Sequence, residues 1–413
     1  MFRKSALSLA LSCAAALPAA AQDDDTRTVK GSLGYLQRIA LPDEAQAHVV
    51  AEGRFGAILG ETVLDPDGRQ VPLPFEMTVP ADLAGTLGAV IRIENRARWL
   101  IEGVNFPAGR DTVDLGELTL SPVTPLAFAT DFVCGDTPVS VGVLDDEMVM
   151  RAEDRDIRLE QVRAASGARY EAVSEPGTSV WNKGEEISVT LNGRDLPDCV
   201  RVTPAAMEPY RARGNEPGWH VALDGDTARV VADYGEIELE TERPEVAVVP
   251  GAYVFDMPGI DASLRIEEGL CHDDATGMPY PDAARLTLGA RELRGCGGDP
   301  ADLLTGETWR ITALGDAALI EPERLSLSFF EPGRVAGSSG CNRLIGGFKL
   351  TGEGLSFERM GSTMMACEDA IMAQERRMLD ALEQVRRFDV TAEGTLLLIG
   401  GSEDSVLIEA QRP

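Results

Sequence analysis

Two short segments between Cys134 and Cys199 contain the side chains best suited to binding chemistry. They are Ser166-Gly167-Ala168-Arg169-Tyr170 and Trp181-Asn182-Lys183-Gly184-Glu185. The ammonium group of Lys183 is a compact positive charge that can pair with carboxylates, and the hydroxyl of Ser166 can hydrogen-bond to the same groups. A glycine follows each of these residues and lets the backbone turn sharply beside it. The two segments therefore indicate a surface that can bind carboxylates.

The chain around these segments is a run of predicted antiparallel hairpins. Apolar residues alternate with polar ones, as in half-buried strands, at Val139, Val141, Val143, Met148, Met150, Ile157, Leu159, Ile187, Val189 and Leu191. An Asp145-Asp146 pair marks one of the turns. Strands this short and this numerous favour a small barrel that covers its own edges.

The order of the motifs in residues 129–202 adds a family resemblance. Phe132-x-Cys134, then Ser-Gly-x-x-Tyr, then Trp-x-Lys-Gly-Glu, then a closing cysteine resembles the membrane-bound or periplasmic inhibitors of c-type lysozyme. The resemblance implies an eight-stranded antiparallel barrel that inserts a serine and a lysine into the lysozyme cleft. In this sequence the implied lysozyme-binding residues are Ser166, Gly167, Tyr170, Trp181, Lys183 and Gly184.

The chemistry of a lysozyme cleft is compatible with that implication. Such a cleft contains two carboxylates that flank the scissile bond, and an ammonium and a hydroxyl are suitable partners for them. An acidic inhibitor is also attracted to a cationic lysozyme, mainly through a faster association rate. The alternative is that Lys183 is a solvated hairpin lysine and Ser166 an ordinary turn residue.

Residues 28–121 are predicted to form a β-sandwich of short strands. Val71-Pro-Leu-Pro-Phe75 is strand-like but interrupted by proline, which places it at a sheet edge. Tyr35-x-x-Arg38-Ile-Ala-Leu-Pro42 and Gly68-Arg-Gln-Val-Pro-Leu-Pro-Phe-Glu76 resemble the YbaY-like family related to type III secretion lipoprotein chaperones. That family has no settled chemistry, so a spacer or adaptor is the plain interpretation.

Residues 210–299 are predicted to form a further β-rich domain. Arg213-Gly-Asn-Glu-Pro-Gly-Trp219 and Leu293-Arg-Gly-Cys-Gly-Gly298 resemble a family of uncharacterised exported bacterial proteins, which implies no activity. His272 precedes two aspartates and raises the possibility of a metal site, but one histidine beside loop acids is usually solvated. We therefore expect no metal and no cofactor.

Residues 303–411 resemble META/HslJ-like domains, through Gly337-Ser-Ser-Gly-Cys-Asn342 and Met364-Met-Ala-Cys367. Those domains are small α+β units of exported envelope proteins associated with stress or drug tolerance. A helix is predicted near Asp369–Arg387, because Ile371, Met378, Leu382 and Val385 form one apolar stripe. The methionines are expected to fill the core.

The N-terminus predicts export. Arg3 and Lys4 precede an apolar run and a small-residue cleavage site, so residues 1–21 are expected to be a signal peptide. Cys13 could alternatively be a lipoprotein cysteine, but Ala10-Leu11-Ser12 before it is a poor lipobox. No later run approaches the roughly 20 apolar residues that span a bilayer, so the mature chain is expected to be periplasmic without a transmembrane segment.

The chain is strongly acidic, with a net charge of −30 in 413 residues. Removal of the leader would make that charge −32. Nucleic acid and anionic lipid would be repelled, whereas a cationic protein would be attracted. The acidity is also compatible with a simple contribution to solubility.

The cysteines agree with export into an oxidising compartment. Without Cys13 six remain, and six allow fifteen pairings. Each consecutive pair falls within one predicted domain, which favours 134–199, 271–296 and 341–367 as the disulfides. No Cys-x-x-Cys motif is present and the three histidines are scattered, which argues against a metal site.

Catalytic motifs are absent from the sequence. There is no Gly-x-Ser-x-Gly elbow, no His-Glu-x-x-His and no phosphate-binding Gly-x-x-x-x-Gly-Lys-Ser/Thr loop. The sequence thus predicts a mainly β, multidomain, non-enzymatic envelope protein whose domain at 129–202 inhibits c-type lysozyme. The alternative hypothesis is an envelope adaptor or stress-tolerance protein without lysozyme inhibition.

Overall fold

The structure is a computed structural model, and it describes residues 25–144, 147–184, 186–202, 209–352, 354–402 and 404–412. The predicted signal peptide, Cys13 and the Asp145-Asp146 turn lie outside the described residues. Within these ranges the chain is mainly β and multidomain, with four curled sheets. Short 3-10 helices occur at 54–56, 125–128, 233–235, 258–260, 300–303 and 322–324.

The first sheet contains seven strands. They are β1 (Thr26–Tyr35), β2 (Gln46–Glu52), β3 (Ile58–Leu64), β4 (Leu73–Pro80), β5 (Gly85–Ile93), β6 (Arg96–Phe106) and β7 (Val113–Pro122). Their order is β3-β2-β5-β6-β7-β1-β4, and β1 and β7 form its parallel pair. The strand with the prolines, β4, lies at the end of this order, as its sequence predicts. Contacts between β3 and β4 curl the sheet around its core.

The second sheet contains nine strands in the described residues. They are β8 (Thr130–Cys134), β9 (Thr137–Leu144), β10 (Glu147–Ala152), β11 (Arg155–Val162), β12 (Ala168–Ala172), β13 (Ser179–Lys183), β14 (Glu186–Leu191), β15 (Arg194–Asp195) and β16 (Cys199–Arg201). Each strand from β8 to β15 pairs antiparallel with the next, and β16 returns to pair with β8. Cys134 and Cys199 are opposite each other in that pair and form a disulfide.

The third sheet also contains nine strands in the described residues. They are β17 (Tyr210–Asn215), β18 (Gly218–Asp224), β19 (Thr227–Ala232), β20 (Ile237–Glu242), β21 (Ala247–Val249), β22 (Ala252–Met257), β23 (Ala262–His272), β24 (Pro279–Leu288) and β25 (Arg291–Gly297). Their order is β20-β19-β18-β17-β25-β24-β23-β22-β21. A disulfide joins Cys271 on β23 to Cys296 on β25.

The fourth sheet carries the long helix. Its elements are β26 (Trp309–Leu314), β27 (Leu325–Phe330), β28 (Arg334–Ser339), β29 (Arg343–Thr351), β30 (Gly354–Phe357), β31 (Gly361–Ser362), α1 (Asp369–Gln384), β32 (Val385–Val390), β33 (Leu396–Gly400) and β34 (Ser405–Gln411). The order is β30-β29-β28-β27-β26-β34-β33-β32, with β31 paired to β29. A disulfide joins Cys341 to Cys367. Met364 and Met365, just before Cys367, are 100% and 59% exposed, so the expectation that these methionines fill the core is wrong for this pair, although it holds for Met378.

The helix α1 is shorter than its sequence predicts. It buries Met378 and Leu382 as expected, but it ends at Gln384 and not at Arg387. Val385 is buried as the first residue of β32, in an extended conformation. The branched side chain of valine suits a strand better than a helix terminus, and an apolar stripe does not distinguish the two. No helix in the described part of the chain has the length and apolar character needed to cross a membrane.

The buried side chains of the described residues divide into three cores. One core is continuous from the first sheet into the third, and another joins the fourth sheet to Met278, Tyr280 and Cys296 of the third. The second sheet encloses a separate core around Phe132, Met150 and other residues of its own strands. The first, third and fourth sheets therefore pack as neighbours, while the second has a core of its own.

Two adjacent residues after β2 join the first sheet to the third. The ring of Phe55 packs edge-on against Tyr210, Tyr253 and Phe255, with ring centres 5.1 to 5.5 Å apart. Arg54 forms an ion pair with the carboxylate of Asp282, whose side chain is 1% exposed.

A hydrogen-bond network surrounds this ion pair. The hydroxyl of Tyr210 donates to Asp282 at 3.0 Å, and the backbone N–H of Arg54 donates to the hydroxyl of Tyr253 at 3.1 Å. Burial is the main cause that raises the pKa of Tyr210 far above its ordinary value, so its hydroxyl remains a donor. The carboxylate of Asp282 is thus bound from both sheets.

We predict that Asp282→Ala lowers the free energy of unfolding by about 2–3 kcal/mol. Removing one partner of a largely buried pair leaves the other charge uncompensated, and the partial exposure of Arg54 reduces that penalty. Urea unfolding of the whole chain measures the effect. Glu238→Ala, which removes an exposed carboxylate from the same sheet, is expected to change stability by less than about 0.5 kcal/mol. Equal losses in the two variants would contradict the role given to Asp282.

Candidate functional site

The predicted binding residues meet at one end of the second sheet. Strands β12 and β13 are antiparallel, with Ala168 opposite Asn182 and Arg169 opposite Trp181. Ser166 lies in the connection before β12 and Lys183 at the end of β13, so both reach the same end of the barrel. Both side chains are exposed. The structure therefore brings together two residues that are 17 positions apart in the sequence.

One tryptophan contacts both of them. The indole N–H of Trp181 donates a hydrogen bond to the backbone carbonyl of Ser166 at 2.8 Å. The ammonium nitrogen of Lys183 lies 3.8 Å from the centre of the same ring, within the range of a cation–π interaction. Trp181 therefore fixes the loop of Ser166 and positions the charge of Lys183.

The two glycines of the site have different surroundings. Gly167 has a φ of +67°, and a methyl group on it would clash with the carbonyl oxygen of Asn182. Gly184 has a φ of +84°, and no atom lies within 4 Å of the position its methyl group would take. Both positions require the left-handed backbone region that favours glycine, but Gly167 also requires close contact between the two segments.

The other side chains of these segments divide between the two faces of the sheet. Tyr170 is half-buried and packs against the core of the second sheet, so its role is structural. Arg169 points to the outer face, opposite Trp181, and its guanidinium lies 3.1 Å from the carboxylate of Glu171. Arg169 therefore adds a positive charge beside the pair. No motif in the sequence singles out Arg169, although strand alternation places it on the face of Trp181 and Lys183.

We predict that Gly167→Ala is clearly more destabilising than Gly184→Ala. The left-handed conformation alone costs an alanine about 1–2 kcal/mol, and this is the full expected effect at position 184. At position 167 the clash with Asn182 adds to that cost, because the backbone carbonyl has little freedom to move. Urea unfolding measures both changes, and amide hydrogen exchange is expected to accelerate between residues 163 and 168 only in Gly167→Ala. Equal behaviour of the two variants would contradict the close packing of the two segments.

The acidic loop of the third sheet was a second candidate site. His272 lies 2.8 Å from the carboxylate of Asp389 on β32. Asp273 is buried, which opposes its ionisation, but hydrogen bonds from Asn215 and Thr276 outweigh burial and lower its pKa. The carboxylate of Asp273 thus stabilises the conformation of its own loop. Among the described residues, no group of three or more histidine, cysteine or acidic side chains is arranged to hold a metal ion.

Comparison with known proteins yields three family matches on separate parts of the chain. Residues 132–197 match the membrane-bound lysozyme-inhibitor of c-type lysozyme family. Residues 24–102 match the type III secretion system lipoprotein chaperone (YscW) family, and residues 302–413 match the META domain. The three motif-based resemblances are thereby confirmed, and the matched families are non-catalytic. The resemblance of residues 210–299 to an exported family stays a prediction, as do the exact domain boundaries.

Two solved structures resemble parts of the chain. An alternative pilotin from the type II secretion system of Vibrio cholerae is 21% identical, with a TM-score of 0.21, over 24% of this chain and 98% of the pilotin chain. The NMR structure of a protein from Burkholderia xenovorans is 26% identical, with a TM-score of 0.25, over 28% of this chain and 88% of that one. Both TM-scores are too low to support a functional argument. No curated protein sequence matches the chain.

Proposed function

We propose that this chain is a periplasmic envelope protein whose second sheet inhibits c-type lysozyme. Ser166 and Lys183 would enter the active-site cleft and occupy it. The observation that supports this most directly is the contact of Trp181 with both residues at an exposed end of the barrel. The match of residues 132–197 to an inhibitor family supports the choice of partner.

The proposed contact pairs groups of opposite charge in a confined space. The cleft of a lysozyme contains two carboxylates that flank the scissile bond. The ammonium of Lys183 would pair with them, and the hydroxyl of Ser166 would hydrogen-bond beside it. Because Trp181 already restricts the ammonium of Lys183 and the backbone of the Ser166 loop, less conformational entropy is lost on binding. Occupation of the cleft would exclude the polysaccharide without any chemical step.

The separate core of the second sheet also supports the proposal. The first, third and fourth sheets have continuous cores, whereas the second encloses its own. Its exposed end is therefore accessible to a partner without rearrangement of the other sheets. We infer that the remaining sheets contribute a scaffold in the envelope and do not contact the lysozyme cleft.

A second candidate function is an envelope adaptor that retains the inhibitor-like barrel only as a binding scaffold. The match of residues 24–102 to a family of lipoprotein chaperones favours it, because a chaperone assists another protein. Association of the wild-type chain with envelope proteins, together with no effect on lysozyme, would favour this candidate over inhibition.

We predict that the intact protein inhibits c-type lysozyme and that Lys183→Ala and Ser166→Ala each weaken inhibition. Residues at the centre of an interface commonly contribute about 2 kcal/mol, which corresponds to roughly a 30-fold higher inhibition constant. Cell-wall lysis assays with purified variants measure the constants.

Two matched variants act as controls for this experiment. Lys349→Ala removes an exposed lysine from the fourth sheet, and Ser174→Ala removes an exposed serine at the opposite end of the second sheet. Both are expected to inhibit like the wild type. The proposal fails if the wild-type chain does not inhibit lysozyme, or if the controls lose as much inhibition as the two site variants.

We also predict that salt slows the association of the two proteins. The chain has a net charge of −30, and screening of long-range attraction reduces the association rate more than the dissociation rate. Surface plasmon resonance between about 50 and 500 mM salt separates the two rates. An association rate that does not depend on salt would remove the electrostatic part of the proposal.

A further inference from the structure

Three arginines lie side by side across the third sheet. The pairing of β23 with β24 places Arg265 directly opposite Arg285, and the pairing of β24 with β25 places Arg285 directly opposite Arg294. Residues that are directly opposite in antiparallel strands point to the same face. Neighbouring strands are about 4.8 Å apart, so the row is about 10 Å long. The neighbouring inward residues Leu264, Ala284 and Leu293 are buried, and the arginines therefore lie on the outer face.

This arrangement is unfavourable for the sheet by itself. Like charges that are directly opposite on neighbouring strands destabilise the pairing. Glu267 lies 2.7 Å from the Arg265 guanidinium and Glu292 lies 2.9 Å from that of Arg285. In the part of the chain that the structure describes, no carboxylate pairs with Arg294. Positions that break a local rule without an evident structural gain are often functional sites.

The row lines a cavity of about 320 Å³. Arg213, on the neighbouring strand β17, lines it as well, and the Cys271–Cys296 disulfide lies beside the arginines. The guanidinium of Arg213 donates a hydrogen bond to the hydroxyl of Tyr280. Its buried Nε–H has no hydrogen-bond partner within the described residues, but it lies 4.0 Å from the carboxylate of Asp273. A cavity of this size is at the lower limit of small-molecule sites. The cavity thus has the volume for a small molecule, and four arginines from adjacent strands line it.

The lining also contains acidic groups, which limit what can bind. Asp273 accepts hydrogen bonds from Asn215 and Thr276, and Glu267 is paired with Arg265. Asp274 is exposed at the edge. Four arginines and three carboxylates therefore line the cavity. Carboxylates pair with Arg213, Arg265 and Arg285 and hold them in place. Among the described residues, no carboxylate pairs with Arg294, so its guanidinium fork is available to a ligand.

We propose that this cavity binds a small anion with two or more phosphoryl or carboxylate groups. The guanidinium fork matches the geometry of both groups, and such charge-assisted pairs are the stronger hydrogen bonds in proteins. A ligand with two anionic groups would contact two arginines of the row at once and would relieve their mutual repulsion. Salt screens charges that are more than about 10 Å away, so the negative charge of the chain opposes this binding only through acidic groups nearer than that. The site is independent of the lysozyme-binding residues.

Calorimetric titration of the full chain with pyrophosphate and, separately, with citrate tests the proposal. We expect saturable binding of one or both, and the stronger of the two identifies phosphoryl or carboxylate groups as the ligand chemistry. Arg294→Gln is expected to weaken binding by about tenfold, since one charge-assisted contact contributes roughly that factor. Arg294→Lys keeps the charge without the fork and should be intermediate.

Arg291→Gln is the matched control. It makes the same change on the same strand, but Arg291 pairs with Asp233 and does not line the cavity. Its affinity should remain within about twofold of the wild type. Thermal unfolding without ligand should show Arg294→Gln at least as stable as the wild type, because a repulsive charge has been removed. Absence of binding for both anions, or equal affinity of Arg294→Gln and Arg291→Gln, would overturn the proposal.

Discussion

The burial of Asp282 is the constraint on which the arrangement of the first and third sheets depends. A carboxylate that is 1% exposed is stable as an ion only when it is paired and hydrogen-bonded. Its partners are Arg54 from the first sheet and Tyr210 from the third. Phe55, next to Arg54, contributes the apolar part of the same junction through its contacts with three aromatic rings. The junction therefore combines a specific charge pair with nonspecific burial, and the charge pair fixes how the two sheets meet.

The second sheet is stabilised by its own disulfide and its own core. Its disulfide joins the first and last strands of the sheet, and its buried residues contact one another. A small barrel gains stability when such a crosslink restricts its unfolded chain. This independence suits a binding function, because the exposed segments can be held firmly by their own barrel. Trp181 does this locally by contacting both the Ser166 loop and the Lys183 side chain.

Charge acts in this molecule both over long distances, through the net charge, and over short distances, at individual sites. The whole chain is acidic, which acts over distances comparable to the screening length and favours encounter with a cationic protein. The individual sites rely on local cations, namely Lys183 on the second sheet and the arginine row on the third. The acidic composition predicts the long-range attraction to a cationic protein. It gives no indication of the local cationic sites. Local geometry, and not the net charge, decides what a given surface can bind.

The sequence alone determined the secondary structure class, the three family resemblances and the pairing of consecutive cysteines. Alternating apolar residues report which face of a strand is buried, and this signal is local. The sequence also singled out Ser166 and Lys183 as candidate binding residues, because their motifs are contiguous. The sequence wrongly predicted that α1 extends to Arg387. An apolar stripe does not distinguish the end of a helix from the start of a strand at Val385.

Only the tertiary structure decided the contacts between distant positions. Arg54 and Asp282 are 228 residues apart, and neither belongs to a recognisable motif. The row of Arg265, Arg285 and Arg294 exists only because the register of three strands aligns them, and a shift of one residue would move one arginine to the opposite face. Strand register and sheet packing depend on the burial of the whole chain. The Arg54–Asp282 pair and the arginine row therefore could not be predicted from residues that are neighbours in sequence.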